Sequence, residues 1–560
     1  MADRIYRNDS LLEWDYDPEV QKTLYDALYH GALHATMEAT AVEYFGNRFT
    51  YGELLDKIHA CAYGLIKLGV KKGDYVTIFL PNIPQCLIAI YAVNRIGAVC
   101  NMLHPQSNKE ELNNAIKLTN SKVILTFELN EEICSNMDST IVRCKVPEYF
   151  PKNVKSFVLK SAYMFSIRSA KQSVGTKVIE WADLIRENGE LPEETGTQED
   201  VAAIMYTGGT TGVSKGAVLT NGAINYCLSR IILDNVSGIP HIGDRVLVVL
   251  PLFHAYGFIL SVHSPLCGGV CNVLIPKFSP SECARMILEN KIEYIMGVPS
   301  MYERMYPYFE GHDLSFVRQM LSGGDTISKE LVDNYNYLLR NSNVNFRQGY
   351  GMTECCGGIF VMPAAYDDYK LGCVGRVFKG CEICVVEPGT DNMLPVGENG
   401  ELCVAGPALM KGYLNNEAAT KEVMHVHQDG KLWLHTGDLT YVDETGLVYF
   451  QSRVKRMVKI KGINVYPSQI ENTVEKCDVV EKACAVGTND NGNPVIKLYV
   501  VLKKKLPRKM TKEDSLEKIK KFASEKLNEW SIPTSIYEID EMPMTKLQKV
   551  DFMRLEHKDD

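Results

Sequence analysis

No stretch of this chain is apolar for long enough to cross a membrane. The longest apolar run, residues 86–103, is broken by Asn94 and Arg95, whereas a span needs about 20 apolar residues. The N-terminus, Met-Ala-Asp-Arg, lacks the apolar core of a secretion signal. A cytoplasmic location is therefore expected, with peripheral membrane contact left open. Positive charge is not in excess: 60 Lys and Arg stand against 69 Asp and Glu, a net charge of −9. That argues against a nucleic-acid partner. A Walker A motif is absent, because the glycine-rich stretch ends Ser214-Lys215-Gly216 where that motif needs Gly-Lys-Ser/Thr. Internal repeats and low-complexity segments are absent too. Cys381-Glu-Ile-Cys384 has no second Cys-x-x-Cys pair to make a metal or redox module. It falls in an alternating run that reads as a strand, so the two thiols face opposite sides. The seventeen cysteines are expected as core thiols in a reducing compartment.

What the chain does have is the composition of an ordinary globular protein, 46% hydrophobic and 23% charged over 560 residues. That length calls for two or more domains. Thr50 and Glu53 have capping-box spacing. Leu54, Ile58, Cys61, Leu65 and Leu68 then recur at helical spacing until Gly69. A strand follows at 75–80 and a helix at 85–96. Further strands are expected at 123–127, 156–159, 201–205, 246–250 and 495–502. Leu516, Ile519, Ala523, Leu527 and Trp530 mark one face of a late helix. Helices that alternate with short apolar strands predict an α/β layered fold.

Three stretches carry chemistry. Residues 204–216 hold four glycines (Gly208, Gly209, Gly212, Gly216), three threonines (Thr207, Thr210, Thr211) and Lys215. Glycine lets several N–H groups turn towards one anion, and the hydroxyls and the ammonium add to them. The stretch is suited to gripping a polyphosphate. Gln348-Gly-Tyr-Gly-Met-Thr-Glu354 offers the Thr353 hydroxyl and a hard carboxylate, Glu354, suited to Mg²⁺. Trp433-Leu-His-Thr-Gly-Asp438 sets a carboxylate after a Thr-Gly turn, a good acceptor for the two hydroxyls of a ribose. His254, among aromatics in Pro251-Leu-Phe-His-Ala-Tyr-Gly257, fits a core histidine or a site residue. The basic runs 453–459 and 503–509 read first as solvated surface.

In this order the stretches resemble the ATP-dependent, adenylate-forming acyl-CoA synthetases, the ANL superfamily. It also holds the firefly-type luciferases and the adenylation domains of peptide synthetases. Residues 206–216 are similar in wording to bacterial long-chain fatty acid ligases. The resemblance covers nearly the whole chain. It implies a large N-terminal multi-layer α/β domain, residues 1–454, and a small mobile C-terminal α+β domain, residues 455–560, joined by a hinge at Lys455. It implies that Thr207, Gly208, Gly209, Thr210, Thr211 and Lys215 hold phosphates. His254 lines the carboxylate site and gates the thiol channel, and Gly323 and Gly324 lie against adenine and the acyl group. Tyr350, followed by Gly351, packs on adenine. Thr353 binds the α-phosphate and Glu354 the metal. Asp438 takes the ribose, and Arg453 the ribose and phosphate. Lys459 and Gly462 begin the segment that faces the thiol. Lys549 is the catalytic cation of a Pro-x-Thr-x-x-Gly-Lys pattern in which Pro543, Thr545 and Lys549 match and Gln548 replaces glycine. Lys546 is a weaker rival. The family usually has Ala at Asp325, Gly at Ser452 and Glu at Gln469.

The reaction so implied uses ATP, Mg²⁺ and coenzyme A. A carboxylic acid, medium- or long-chain fatty by the loop wording, attacks the α-phosphorus of ATP and releases pyrophosphate. A thiol then attacks the acyl-adenylate and releases AMP. Aryl and steroid acids use the same motifs. No carrier domain follows residue 560, so a peptide-synthetase module is not expected. A nucleotide-binding protein without catalysis is the reading of a different class, resting on Gln548 and Gln469.

Overall fold

Segments of alternating period in the sequence build two sheets in the unit formed by Arg7–Glu382 and Ala405–Met424. The computed structural model describes residues 5–7, 22–153, 157, 158, 160, 161, 163, 165, 167, 175–192, 196–207, 214–233, 241–362, 370, 372–460, 463–490, 493–504, 510–544 and 550–556. In one sheet the strands Thr40–Tyr44, Cys271–Leu274, Arg245–Val248, Tyr294–Gly297, Gln319–Ser322 and Phe346–Tyr350 lie side by side, all parallel. In the other, Val201–Thr207, Val99–Met102, Tyr75–Phe79, Val123–Phe127, Thr140–Cys144 and Val178–Glu180 are parallel, and Lys215–Thr220 closes the edge antiparallel. The expected α/β architecture is present.

The helix Tyr51–Lys67 starts at the expected capping box. Thr50 Oγ1 accepts from the Glu53 N–H at 3.2 Å, and Glu53 Oε2 accepts from the Thr50 N–H at 2.9 Å. Leu54, Ile58, Cys61 and Leu65 are buried along its inner face. It packs against Pro84–Arg95, which is buried on almost every side. Proline suits the first position of that helix because its missing N–H is an orphan there.

A stretch of π-helix, Tyr256–His263, runs into the helix Ser264–Cys267. Wide turns of this kind recur at functional sites. The stretch ends in a closed polar set. Asn225 Nδ2 donates to the Thr23 carbonyl at 3.0 Å, which turns Asn225 Oδ1 towards His263 Nε2, 3.0 Å away. Tyr91 Oη lies 2.7 Å from His263 Nδ1. Complete burial pushes the His263 imidazole down to about 3, so it is neutral, donating from Nε2 and accepting at Nδ1.

The unit formed by Met1–Tyr6, Ile383–Val404 and His425–Asp560 is built mostly of antiparallel pairs. Gly400–Ala405, Leu432–Val442 and Val448–Arg453 form one ladder, and Val458–Ile460 with Ile463–Val465 a hairpin. Val480–Asp490 pairs antiparallel with Asn493–Leu502, which pairs parallel with Ser535–Glu538. Ile470 and Val474 of helix Pro467–Val474 and Ile519 and Ala523 of helix Lys512–Lys526 close a core with Ala485 and Leu498.

Two expectations change. The late helix stops at Lys526, and Asn528 caps a separate turn, Glu529–Ser531; Leu527 and Trp530 still pack on the core. Of the strand expected at 156–159 only Phe157 and Val158 are described, and they are not in a strand. The Phe157 N–H donates to the Asn153 carbonyl, Phe157 and Val158 are helical, and their side chains are exposed. An aromatic and a β-branched residue signalled a strand, but that preference holds only on a half-buried pleated surface. All seventeen cysteines are buried free thiols, Cys381 and Cys384 among them. Among the described residues no helix is long and apolar enough to cross a membrane.

Candidate active site

Parallel strands share a direction, so their carboxyl ends emerge on one edge of the sheet, where ligands collect in open α/β folds. Three of the singled-out segments fall there, and Val298 joins them. Residues 251–257 follow Arg245–Val248, Val298 follows Tyr294–Gly297, residues 323–325 follow Gln319–Ser322, and residues 351–354 follow Phe346–Tyr350. Tyr256 ties them together. Its buried hydroxyl donates to the carbonyls of Gly297 and Leu321, each at 3.3 Å. The Gly323 N–H donates to the Gly297 carbonyl at 3.0 Å. A Cβ on Gly323 would stand 3.2 Å from the Tyr256 ring. Gly324 and Asp325 are exposed, and the Asp325 carboxylate accepts from the Thr326 N–H at 2.8 Å. His254 is half-buried, its Nδ1 accepting from the Tyr256 N–H at 3.3 Å.

Glycine at 351 is required by a close approach. A Cβ there would lie 2.3 Å from the Gly357 carbonyl oxygen, a backbone atom that cannot step aside. That contact folds the segment back on itself, with Tyr350 against Phe360 at 5.4 Å between ring centres. Thr353 and Glu354 follow in a short 3₁₀ turn and are both buried.

The Glu354 carboxylate is not left bare. Tyr413 Oη donates to its Oε1 at 2.7 Å, and the Met410 N–H donates to its backbone carbonyl at 2.8 Å. Burial and then the Glu354 charge push the Tyr413 phenol well up, so it stays a donor. The same ring carries Lys215, whose Nζ lies 4.9 Å from its centroid. Lys215 reaches it from the mouth of the hairpin where Lys215 pairs with Thr207. Ser214 Oγ donates to the Thr207 carbonyl at 2.7 Å. Gly208, Gly209, Thr210, Thr211 and Gly212 lie outside the described residues. Tyr413 thus joins the lysine of the first stretch to the carboxylate of the second. Sequence reasoning missed it, because a lone tyrosine in Met410-Lys-Gly-Tyr413 carries no pattern.

In the other unit Asp438 and Arg453 face each other across the ladder. Arg453 Nε lies 2.8 Å from Asp438 Oδ1, and Asp438 is fully buried. The expected tight turn at Thr436-Gly437 is instead an irregularity inside one continuous strand, Leu432–Val442, with Gly437 at φ +70°. A bulge re-aims a side chain without ending the strand. Two bonds hold it: Thr436 Oγ1 donates to the Leu402 carbonyl at 2.9 Å, and the Gly437 N–H donates to Glu401 Oε1 at 2.9 Å. Glu401 was also missed; its signal is a carboxylate inside an otherwise apolar strand.

Lys455 and Lys459 are exposed at a cleft of about 360 Å³, lined also by Arg456, Asn489, Phe552 and Glu556. Arg456 is held by Glu471 at 2.5 Å and by the Ala485 carbonyl at 3.0 Å. Ser452 is buried, and Gln469 Nε2 lies 3.4 Å from Gln451 Oε1. Gly462 and residues 545–549, with Lys546, Gln548 and Lys549, lie outside the described residues.

Residues 30–414 match the family described as AMP-binding enzyme, and residues 469–549 the AMP-binding enzyme C-terminal domain. The chain is 28% identical over 513 residues to 4-coumarate–CoA ligase 1 of Petroselinum crispum, covering 90% of this chain and 88% of that protein. It is 27% identical over 559 residues to a long-chain-fatty-acid–CoA ligase of Bacillus subtilis (strain 168), covering 95% and 94%. Among solved structures it is similar to o-succinylbenzoate CoA synthetase of Bacillus subtilis in complex with its acyl-adenylate intermediate. That likeness has a TM-score of 0.74 at 26% identity and covers 94% of this chain and 97% of that one.

Proposed function

The chain belongs to the AMP-binding enzyme family, that of the AMP-forming acid–CoA ligases, and we propose that it couples a hydrophobic carboxylic acid to coenzyme A at the expense of ATP. The observation that carries this reading is the meeting of His254, Gly323 and residues 350–354 at one sheet edge, with Glu354 linked through Tyr413 to Lys215.

The first step brings two anions together. Unit charges about 4 Å apart repel by about 1 kcal/mol in water and by about 4 kcal/mol at an effective dielectric near 20. A site that excludes water therefore needs positive charge and N–H donors aimed at the phosphates. In this reading Lys215, Thr207 and the glycine-rich residues 208–212 supply them, with Lys549 as the main cation. Thr353 takes the α-phosphate, and Tyr350 and Gly351 border the adenine. The buried Glu354 carboxylate is a hard oxygen donor of the kind Mg²⁺ takes, and it would hold the ion. The ion supplies charge against the phosphates of ATP. Asp438 accepts from the ribose hydroxyls, and Arg453, already on Asp438, contacts ribose and phosphate. Once the adenylate has formed, its AMP is a good leaving group. The thiol then needs access, assigned to the Lys459–Gly462 segment, and no Ser-His-Asp set. Lys455 is the hinge, within a boundary drawn at residues 454 and 455. Buried free thiols throughout support a reducing, cytoplasmic setting.

For the acyl group, the wording of residues 206–216 and the Bacillus subtilis ligase over 95% of the chain support a medium- or long-chain fatty acid. A second reading, an aryl acid, is favoured by Tyr256, whose ring stands against Gly323 beside the strand ends. Pyrophosphate release with ATP and Mg²⁺ across fatty and aryl acids, with and without coenzyme A, tests both. Release that needs one acid class and ends in an acyl-CoA is the expected result. ATP binding with no release for any acid would overturn the ligase reading.

A further inference from the structure

Outside the ATP and acid sites, one cluster of ligand-type side chains is assembled from four separate segments. Cys403 on strand Gly400–Ala405 and His435 on strand Leu432–Val442 are direct partners in the antiparallel ladder, so their side chains share a face. The hairpin at 427–431 folds His427 back over that pair. Its backbone pairs with Lys431, and its Nε2 comes to 2.9 Å from His435 Nε2. His425, two residues earlier on strand Met424–Val426, points the same way. Asp391, from the loop before Gly400, brings Oδ1 to 2.9 Å from His425 Nδ1, 3.4 Å from His435 Nε2 and 3.7 Å from His427 Nε2. The ligand atoms of Cys403, His427 and His435 lie within 4.8 Å of one another, and all three residues are buried.

We propose that Cys403, His427 and His435 form a Zn²⁺ site, with the Asp391 carboxylate, which already faces both imidazoles but groups with His425 and His435, drawn in as the fourth ligand when the ion binds. One thiolate, two imidazoles and a carboxylate are the donors this borderline-soft ion takes. With bonds of about 2.0–2.3 Å, a tetrahedral site has ligand–ligand edges of about 3.3–3.8 Å. The separations of Asp391 Oδ1 from the two Nε2 atoms match those edges, and the 2.9 Å between the Nε2 atoms needs only a small opening.

The environment of His435 gives the second, independent argument. Its Nδ1 lies 3.4 Å from Glu401 Oε2, and its Nε2 faces Asp391 Oδ1 and His427 Nε2. Two carboxylates and a second imidazole thus crowd one buried ring. A cation between Nε2, His427 Nε2 and Asp391 Oδ1 would be coordinated by these atoms while Nδ1 stays turned to Glu401. The Nδ1–H to Glu401 is then the carboxylate support that metal-bound histidines commonly have. Asp391 is 44% exposed at its side chain and gives an ion a route in. The arrangement also reaches the strand that carries Asp438. Glu401 holds His435 with one oxygen and the Gly437 N–H with the other, so an ion on His435 braces the bulge ahead of Asp438.

The test titrates the purified full-length protein, freed of metal with a chelator, with Zn²⁺ in excess Mg²⁺, which keeps oxygen-donor sites occupied. Co²⁺ is then used as a spectroscopic probe. The expected result is one equivalent of Zn²⁺ bound, a raised thermal midpoint, and a thiolate-to-Co²⁺ charge-transfer band. Cys403→Ser removes the band and weakens Zn²⁺ beyond the roughly 100-fold that loss of a supporting contact costs. Asp391→Asn, at the surface and safe for folding, weakens Zn²⁺ and keeps the band. No Zn²⁺ bound in excess Mg²⁺ overturns the proposal. Binding without a thiolate band, or with the wild-type affinity in Asp391→Asn, overturns it as well.

Discussion

Tyr413 shows how much one side chain does at this site. It gives its hydroxyl to Glu354 and its ring face to Lys215. Tyr413→Phe keeps the ring and removes the bond. A hydrogen bond to a charged group contributes about 1.5–3 kcal/mol, so adenylation is expected to fall by about one to two powers of ten. The Mg²⁺ concentration needed for half-maximal rate should rise as well. Pyrophosphate release measured across Mg²⁺ concentrations checks this, and an unchanged Mg²⁺ dependence would remove Tyr413 from the site. Nothing in the sequence near 413 announces the role, because its partner lies 59 residues away and the contact exists only after folding. Glu354 was legible from its own neighbours: glycine at 349 and 351 and threonine at 353 restrict what such a segment does, and the 2.3 Å approach at Gly351 shows why one glycine is needed.

Elements were legible where their signals are local. The capping box at Thr50 and Glu53 is written within four residues, and the helix starts there. The strand ends were legible because glycine and proline punctuate them. What was not legible depends on register or on partners. The bulge at Gly437 exists because Leu432–Val442 shifts its pairing against Gly400–Ala405. The meeting of Cys403 with His435 comes from that same register. Phe157 and Val158 had strand propensity and are helical and exposed. The π-helix Tyr256–His263 is another such element, and its polar end makes a prediction in pH. His263 is neutral when folded, with its pKa lowered to about 3 by burial, and near 6.5 when unfolded. Below about pH 6.5 the unfolded chain takes a proton that the folded chain refuses. Stability is therefore fully present above pH 6.5 and falls as the pH drops towards 3, by at most about 1.4 kcal/mol per pH unit. From pH 7.5 to pH 5 the cooperative unit containing His263 should lose about 2 kcal/mol that a His263→Gln variant keeps. Urea midpoints of both proteins at the two pH values measure it, and parallel losses would mean that His263 does not carry the acid sensitivity.

At the scale of the whole molecule the two half-reactions make different physical demands on the same chain. Adenylation joins two anions, and without a cation at the phosphates the barrier rises by several kcal/mol. Thioester formation starts from an adenylate whose pyrophosphate has left, so a cation aimed at the β- and γ-phosphates has nothing further to do. The family resemblance assigns the first demand to Lys549 and the second to the Lys459–Gly462 segment. Lys459 is exposed on the edge of its hairpin, opposite Asn464, with no acidic partner among the described contacts that would hold it away from a thiol substrate. Two variants separate the steps. Lys549→Ala is expected to stop pyrophosphate release with ATP and the cognate acid, yet to make acyl-CoA from preformed acyl-AMP at near the wild-type rate. Lys459→Ala is expected to do the reverse, releasing pyrophosphate for a single turnover and then accumulating bound adenylate. Single-turnover pyrophosphate release and acyl-CoA formation, each measured on both variants, give four rates. If Lys549→Ala slows both steps equally, the division of labour is wrong, and Lys546 is the next residue to replace. If only adenylation falls, a glutamine at 548 is compatible with a working lysine loop, and the non-catalytic reading has no support left.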